Sequence, residues 1–220
     1  MAQEGDLQRI LETILIAVIR APDGDRLVEV SEALIAGGVT NLEITLTVPR
    51  ADEVIRQVVD AVGDRALVGA GTVLDLATAQ RAVDAGARFL VTPVTDTQVI
   101  DFARSHDRLV VPGAFSPTEI HTAWQAGADI VKVFPADVAG PAYFKALRGP
   151  LPEVRLMPTG GVNLDTVAPF LKAGACALGV GGALVDAVTL ALDDFAEQIE
   201  QRARKYAAAV AAVAAARVDC

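Results

Sequence analysis

The chain has 220 residues, which at about 100–200 residues per domain predicts one large domain. Apolar residues make up 52% of the chain and aromatic residues 5%, which excludes intrinsic disorder and predicts a core of Ala, Val, Leu and Ile. Acidic residues outnumber basic ones by 28 to 19, and the formal net charge of −9 makes nucleic acid and anionic membranes poor partners.

The low cysteine content and the lack of a leader-like segment predict a reducing compartment. Cys176 and Cys220 are too few for a disulfide framework; we expect Cys176 to be a small buried hydrophobe and Cys220 a frayed chain end. No charged-then-apolar leader opens the chain, and no run of about 18 apolar residues occurs. We therefore expect a cytoplasmic protein.

Short apolar runs, each bounded by Gly, Pro, Asp or Thr, are typical of buried parallel strands. After a loose N-terminus at residues 1–6, eight such runs follow in chain order: Ile14–Ile19, Leu42–Leu46, Ala66–Val68, Phe89–Val91, Leu109–Val111, Ile130–Phe134, Val154–Met157 and Ala177–Val180. Amphipathic helical patterns separate them. From about Lys205 an Ala-rich segment of high helix propensity forms the end of a last helix or a tail.

Four similar tripeptides each precede a predicted strand: Ala36–Gly38, Ala85–Ala87, Ala126–Ala128 and Ala173–Ala175. A glycine at such a joint ends a helix in the left-handed conformation. The repetition predicts β-α units, with helices outside a parallel sheet. A doubly wound sheet and a closed (β/α)₈ TIM barrel both satisfy this α/β pattern. The count of eight and the lack of a long insertion favour the barrel, in a single domain over residues 1–220.

Two ionisable residues fall within predicted strands. Lys132 lies between valines in IVKVF, where a lysine could mark an edge strand, but a closed barrel has no edge. We therefore predict that Lys132 points into the barrel mouth, where an amine can form a Schiff base with a ketone. Glu43 shares one face of LEITLT with Thr45 and Thr47. This face is either exposed to solvent or buried. A buried carboxylate is costly unless it has a partner or a catalytic role, and Glu43 could have both as a proton-transfer partner of Lys132.

Glycine-rich segments follow the last two predicted strands, at Thr159–Gly161 and Gly179–Gly182. Glycine often only marks a turn, but barrels bind phosphate after these two strands through backbone N–H groups and a helix N-terminus. Asn163 is a candidate N-cap for the helix after the first segment. The two histidines, His106 and His121, belong to no metal-binding motif, so we expect no metal and no cofactor.

The chain resembles the 2-keto-3-deoxy-6-phosphogluconate aldolases, a family that includes the 4-hydroxy-2-oxoglutarate aldolases. The resemblance extends from about Ile14 to Val185 and rests on motifs in a fixed order: AGGVTNLEITLTVP, VGAGTVL, AGARFLVTP, VPGAFSPTE, AGADIVKVFPA, MPTGGV and LGVGGALV. It implies a homotrimeric class I aldolase on a (β/α)₈ barrel, acting in Entner–Doudoroff carbohydrate metabolism.

The resemblance also implies roles for individual residues. Lys132 matches the Schiff-base lysine, Glu43 the general acid/base and Thr72 a residue that holds the pyruvyl carboxylate. The phosphate end of the site matches Thr159, Gly160, Gly161, Gly181 and Gly182. Pro93 and Phe134 match residues that line the pocket.

Two positions depart from the pattern of some family members. Thr47 stands where those members carry an arginine that binds the carboxylate, and Arg20 at the end of the first strand could supply the missing guanidinium. Ala183 stands where some members have a serine near the phosphate, which leaves one fewer hydroxyl donor.

The expected reaction is cleavage of 2-keto-3-deoxy-6-phosphogluconate into pyruvate and glyceraldehyde 3-phosphate through a lysine Schiff base. The galactonate epimer and 4-hydroxy-2-oxoglutarate remain alternative substrates, because C4 stereochemistry depends on small differences in the pocket. A sugar-phosphate isomerase or decarboxylase would share the glycine loops but would not need Lys132. A non-catalytic self-assembling scaffold would gain nothing from buried Lys132 and Glu43.

Overall fold

Strands and helices alternate along residues 2–218, the part of the chain that this computed structural model describes. The strands are β1 Leu15–Ile19, β2 Asn41–Thr45, β3 Leu67–Gly71, β4 Phe89–Val91, β5 Leu109–Val111, β6 Gly113–Ala114, β7 Val131–Val133, β8 Leu156–Pro158 and β9 Leu178–Val180. The helices are α1 Ala2–Thr13, α2 Leu27–Ala36, α3 Ala51–Val62, α4 Leu76–Asp84, α5 Thr97–Ser105, α6 Pro117–Gln125, α7 Ala136–Arg148, α8 Leu164–Lys172, α9 Ala187–Leu190 and α10 Phe195–Val218. Cys220 lies outside the described residues.

All strand pairs are parallel, as the alternating pattern predicts. One sheet has six strands in the order β5-β4-β3-β2-β1-β9, and the other has three in the order β6-β7-β8. Backbone hydrogen bonds join the sheets on both sides, from Asp129 N to the Val110 carbonyl at 3.1 Å and from Cys176 N to the Leu156 carbonyl at 2.9 Å. The α/β class is thus confirmed, with a parallel arrangement that brings the strand ends together.

The fifth predicted strand is divided in two at Pro112. Proline has no backbone N–H, so the hydrogen-bond ladder is interrupted at Pro112, between the end of β5 and the start of β6. The two pieces then pair with different neighbours, β5 with β4 and β6 with β7. The sequence pattern did not predict β6, because two small residues carry no apolar signal.

The four helix-to-strand joints have the predicted geometry. A glycine with positive φ follows each helix: Gly38 at 88°, Gly86 at 99°, Gly127 at 97° and Gly174 at 98°. Glycine adopts this left-handed conformation without the steric cost of a Cβ atom.

Helix α1 corrects the prediction of a loose N-terminus, because residues 2–6 already belong to it. Ile10 packs beneath the strands in an apolar cluster that includes Ile16 and Phe89. The Asp6 carboxylate pairs with the Arg88 guanidinium. The first turn of α1 is polar and carries no apolar pattern, so the contacts that order it are visible only in the folded chain.

Residues from Lys205 to Val218 lie in α10, which packs along α2 and α8. Ala203, Tyr206, Val210 and Val213 form the buried side of this helix. In the part of the chain that the structure describes, no helix is both long enough and apolar enough to cross a membrane.

Candidate active site

A cavity of about 1040 Å³ opens at the carboxyl ends of the strands. Every residue that the sequence assigned to the site lines it: Arg20, Glu43, Thr47, Thr72, Pro93, Lys132, Phe134, Thr159, Gly160, Gly161, Gly181 and Gly182. These residues come from both sheets. The topology thus brings the predicted set together, while their chemical roles remain predictions.

Lys132 is the central residue of β7 and only 6% exposed. Its backbone N–H donates to the Pro112 carbonyl, which places the residue on the ladder between β6 and β8. The ammonium nitrogen lies 5.2 Å from the centre of the Phe134 ring, and both residues line the cavity. The side chain therefore extends from a rigid strand into the cavity, as a nucleophile requires.

Glu43 lies on β2, in the other sheet, and is 1% exposed. Neither of its carboxylate oxygens has a hydrogen-bond partner among the described residues. Burial raises the pKa of the Glu43 carboxyl, and the positive charges of Lys132 and Arg20 oppose that rise. A raised pKa suits a group that must both accept and donate protons near neutral pH.

Two consecutive residues at the end of β3 have unusual local geometry. A Cβ atom at Gly71 would overlap the Glu43 carboxylate, so a larger residue there would displace this side chain from its observed position. Thr72, the next residue, has a φ of 59°. This left-handed conformation is unusual for a β-branched residue and marks local strain, which concentrates at functional sites.

Arg20 and Thr47 reach the cavity from the ends of the neighbouring strands β1 and β2, and both are exposed. The hydroxyls of Thr45 and Thr47 are 2.8 Å apart, and the Thr45 hydroxyl donates to the Ile19 carbonyl at 3.1 Å. Arg20 is therefore next to the position where some family members carry their arginine. An arginine at this rim can form a paired hydrogen bond with a carboxylate.

The glycine loops after β8 and β9 form another wall of the cavity. The Thr159 hydroxyl is buried and lacks a hydrogen-bond partner among the described residues, and Thr159 forms an isolated bridge to Gly179. Asn163 caps α8 by accepting hydrogen bonds from Asp165 N and Thr166 N, as predicted. Because Asn163 occupies two backbone N–H groups in the first turn of α8, the backbone N–H groups of the glycine loops are the ones that can bind an anion.

The sequence analysis missed one charged residue of the cavity, Asp186. Asp186 is the N-cap of α9 and accepts a hydrogen bond from Thr189 N. Its carboxylate also pairs with the Arg202 guanidinium at 2.5 Å, and this hydrogen bond lowers the pKa of Asp186 to about 2. Because Asp is a preferred N-cap residue, the sequence could have indicated Asp186. Nothing in the sequence indicates Arg202, because it contacts Asp186 only in the folded chain.

The arrangement combines a buried amine, a buried carboxylate and a wall of small residues. Such a cavity can bind a keto acid, form an imine with it and move protons beside it. Among the described residues, no three His, Cys, Asp or Glu side chains are grouped as a metal site would need.

Comparisons with known proteins agree with this geometry. A sequence model of an aldolase family, described as KDPG and KHG aldolase, matches residues 7–201. A 2-dehydro-3-deoxy-phosphogluconate aldolase of Pseudomonas aeruginosa is 39% identical over 73% of each chain. A 2-dehydro-3-deoxy-6-phosphogalactonate aldolase of Escherichia coli is 35% identical, over 90% of this chain and 93% of its own.

A solved structure adds a chemical observation. A KDPG aldolase from Legionella pneumophila, crystallised with pyruvate captured as a covalent carbinolamine, superposes with a TM-score of 0.83. It is 25% identical, over 90% of this chain and 96% of its own.

Proposed function

The chain belongs to the KDPG and KHG aldolase family and is a carbon–carbon lyase, and from this premise we propose that it cleaves 2-keto-3-deoxy-6-phosphogluconate (KDPG) through a Schiff base on Lys132. The products are pyruvate and glyceraldehyde 3-phosphate. The observation that carries the proposal is the pair of buried ionisable side chains, Lys132 and Glu43, in one cavity. The covalent pyruvate adduct of the Legionella relative supports imine chemistry in this family.

The first half of the reaction makes the imine. The Lys132 amine adds to the C2 ketone and gives a carbinolamine, which loses water once its hydroxyl is protonated. Glu43 supplies and removes these protons, because no residue in the described part of the chain forms a competing hydrogen bond with its carboxylate. Arg20 and Thr72 bind the substrate carboxylate and so orient the ketone for attack.

The second half breaks the C3–C4 bond. Glu43, or a water that it orients, takes the proton of the C4 hydroxyl. The bond electrons then move to the iminium nitrogen, and the aldehyde leaves. The remaining enamine is protonated at C3, and water hydrolyses the resulting iminium to pyruvate and the free lysine. The phosphate of the departing aldehyde lies against the glycine loops, and Pro93 and Phe134 line the intervening wall.

Borohydride trapping tests the lysine directly. Reduction in the presence of pyruvate should add one pyruvyl group, mapped by mass spectrometry to Lys132. Lys132→Met should form no adduct and lose at least about 10⁴-fold in kcat, because the nucleophile is gone. Lys172→Arg, on the exposed end of α8, is the matched control and should label as the parent does. Labelling at another lysine, or activity retained in Lys132→Met, would contradict the proposal.

The 2-keto-3-deoxy-6-phosphogalactonate epimer is the second candidate substrate, since the Escherichia coli relative named for it aligns over more of the chain than the Pseudomonas aeruginosa one. The family name also leaves 4-hydroxy-2-oxoglutarate (KHG) open. Steady-state release of pyruvate from the three substrates, compared by kcat/KM, distinguishes them. We expect the gluconate derivative to give the highest value.

We further propose that the two sheets close into a (β/α)₈ barrel. The hydrogen bond from Asp129 N to the Val110 carbonyl of β5 supports this on one side. The Thr159–Gly179 bridge supports it on the other. A single domain over residues 1–220 remains part of this proposal. An experimental structure that breaks either row of hydrogen bonds would contradict closure.

The quaternary state and compartment are also proposals. Leu74, Leu76, Val94 and Phe115 are exposed apolar side chains that follow strands β3, β4 and β6, three on loops and Leu76 at the start of α4. Exposed apolar side chains of this kind are typical of a subunit interface. The resemblance to the family implies that the assembly is a homotrimer, which sedimentation velocity tests. We also propose a cytoplasmic location, because two cysteines in the sequence are too few for a disulfide framework.

A further inference from the structure

We propose that Arg202 is a positioning residue for the substrate phosphate and acts through Asp186; this rests on the proposed function. Arg202 lies on α10 and does not line the main cavity. It lines a smaller neighbouring cavity of about 360 Å³, which meets the main one at Asn163 and Ala183. The guanidinium therefore influences the main cavity from behind its wall.

Arg202 donates hydrogen bonds to residues that come shortly after Gly181 and Gly182 in the chain. Nη1 donates to the Asp186 carboxylate at 2.5 Å and to the Leu184 carbonyl at 3.4 Å. Nη2 donates to the Thr189 hydroxyl at 2.7 Å. One planar group thus joins the end of the loop to the first turn of α9.

The loop is itself folded back on Gly181. Leu184 N and Val185 N both donate to the Gly181 carbonyl, at 2.8 and 3.1 Å. Arg202 holds Leu184, the far side of this turn, against α10. The backbone at Gly181 and Gly182 is therefore positioned by a turn whose outer side depends on one arginine. Preorganised backbone N–H groups bind an anion better than a loop that must be ordered on binding.

The charge balance gives Arg202 a second effect. Asp186 lines the main cavity together with Gly181 and Gly182, and the low pKa of its carboxyl keeps it ionised at neutral pH. An uncompensated carboxylate there would repel a phosphate dianion. Ala183 has no hydroxyl to offset that repulsion. Since Arg20 and Lys132, the cations among the described lining residues, are assigned to the pyruvyl half, neutralisation of Asp186 falls to Arg202.

The test uses aldol addition of pyruvate to glyceraldehyde 3-phosphate and to glyceraldehyde, compared by kcat/KM. The ratio of the two values measures the preference for phosphate. Arg202→Met removes the positive charge and the three contacts while keeping a long apolar side chain. We expect the ratio to fall roughly tenfold, through a higher KM for the phosphorylated aldehyde.

Three further variants separate charge from architecture. Asp186→Asn keeps an oxygen that can cap α9 and should leave the ratio unchanged or higher. In Arg202→Met/Asp186→Asn the repulsive carboxylate is absent, so most of the lost preference should return. Arg202→Lys keeps the charge but cannot bridge three acceptors, so its ratio should lie between those of the parent and Arg202→Met.

Arg204→Met is the matched control, because Arg204 also lies on α10 and pairs with an acidic residue, Glu200, at the surface. It should leave the ratio unchanged. Equal losses with both aldehydes, or the same loss in the single and double variants, would overturn the inference. A parent enzyme that uses both aldehydes equally well would overturn it too, whereas borohydride trapping at Lys132 decides the reaction separately.

Discussion

At the amino ends of the strands helix α1 covers the interior, whereas at the carboxyl ends the interior opens into the cavity that holds Lys132 and Glu43. Both ends contain buried or half-buried carboxylates. At the amino end, the Asp6 carboxylate accepts a hydrogen bond from Arg88 Nε at 2.9 Å. The Asp129 carboxylate accepts hydrogen bonds from Val110 N at 2.8 Å and from the Gln3 amide at 3.1 Å.

Glu43, at the carboxyl end, has no hydrogen-bond partner for its carboxylate among the described residues, although it is the most deeply buried of the three. A buried carboxylate without hydrogen bonds destabilises the native state. The comparison teaches that both ends bear a desolvation cost, but that only the amino-end carboxylates have hydrogen-bond donors within the described residues to offset it. We expect the uncompensated carboxylate of Glu43 to be retained for its proposed chemical role. Variants at the two ends should therefore change different quantities.

After the loss of the nucleophile in Lys132→Met, the next largest effect on turnover is expected from Glu43→Gln. The substitution keeps the shape of the side chain and removes proton transfer, so kcat should fall by about 10²–10⁴-fold in the pyruvate-release assay. Glu29→Gln, on the exposed side of α2, serves as the control and should turn over normally. Normal turnover in Glu43→Gln would assign the proton transfer to another group.

The same substitution should stabilise the protein at neutral pH. Because burial raises the pKa of Glu43 above 4.5 in the native state, the native state binds more protons than the unfolded state at pH values between the two pKa values. The parent therefore loses stability as pH rises through this window, and Glu43→Gln does not. Urea unfolding should show an advantage for the variant that grows from pH 4 to pH 8. A constant difference across that range would contradict the assignment.

Ile10→Ala tests the amino end, and its effect should fall on stability alone. Ile10 is fully buried under the strands, so truncation should lower the free energy of unfolding by about 2–5 kcal/mol. The kcat of the folded fraction should stay within about twofold of the parent value, since α1 is remote from the cavity. Gln8→Ala, at an exposed position of the same helix, is the control. A tenfold loss of kcat in folded Ile10→Ala would show that the two ends are coupled.

The smallest effect concerns the rim of the cavity. Arg20→Ala should lower kcat/KM by at least about tenfold, or 1.4 kcal/mol, by removing the cation that faces the substrate carboxylate. Arg20→Lys should recover part of this loss, because an ammonium cannot form the paired hydrogen bonds. In the Arg20→Ala background, Thr47→Arg should restore activity if the two strand ends face one carboxylate. Unchanged kinetics in Arg20→Ala would leave Arg20 as a solvent-exposed end of β1.

The sequence predicted most of the strands and brought the reactive pair to notice, because a charged residue in a buried parallel strand is conspicuous. Lys132 between two valines and Glu43 within LEITLT are visible without coordinates. The glycine joints were equally readable, since a left-handed residue after a helix favours one residue type. Helix α1 was not, because its polar first turn is ordered by partners about 80 or more residues away, such as Arg88 and Asp129.

The sequence by itself determined which segments are buried, where the helices end and which residue types can perform imine chemistry, because these depend on local patterns of apolar, glycine and ionisable residues. The tertiary structure decided which of those residues share a cavity, that Glu43 has no hydrogen-bond partner among the described residues and that Arg202 neutralises Asp186. Pairing of this kind depends on distances between side chains far apart in the chain. Folding sets those distances through the packing of helices on strands, and no local pattern records them.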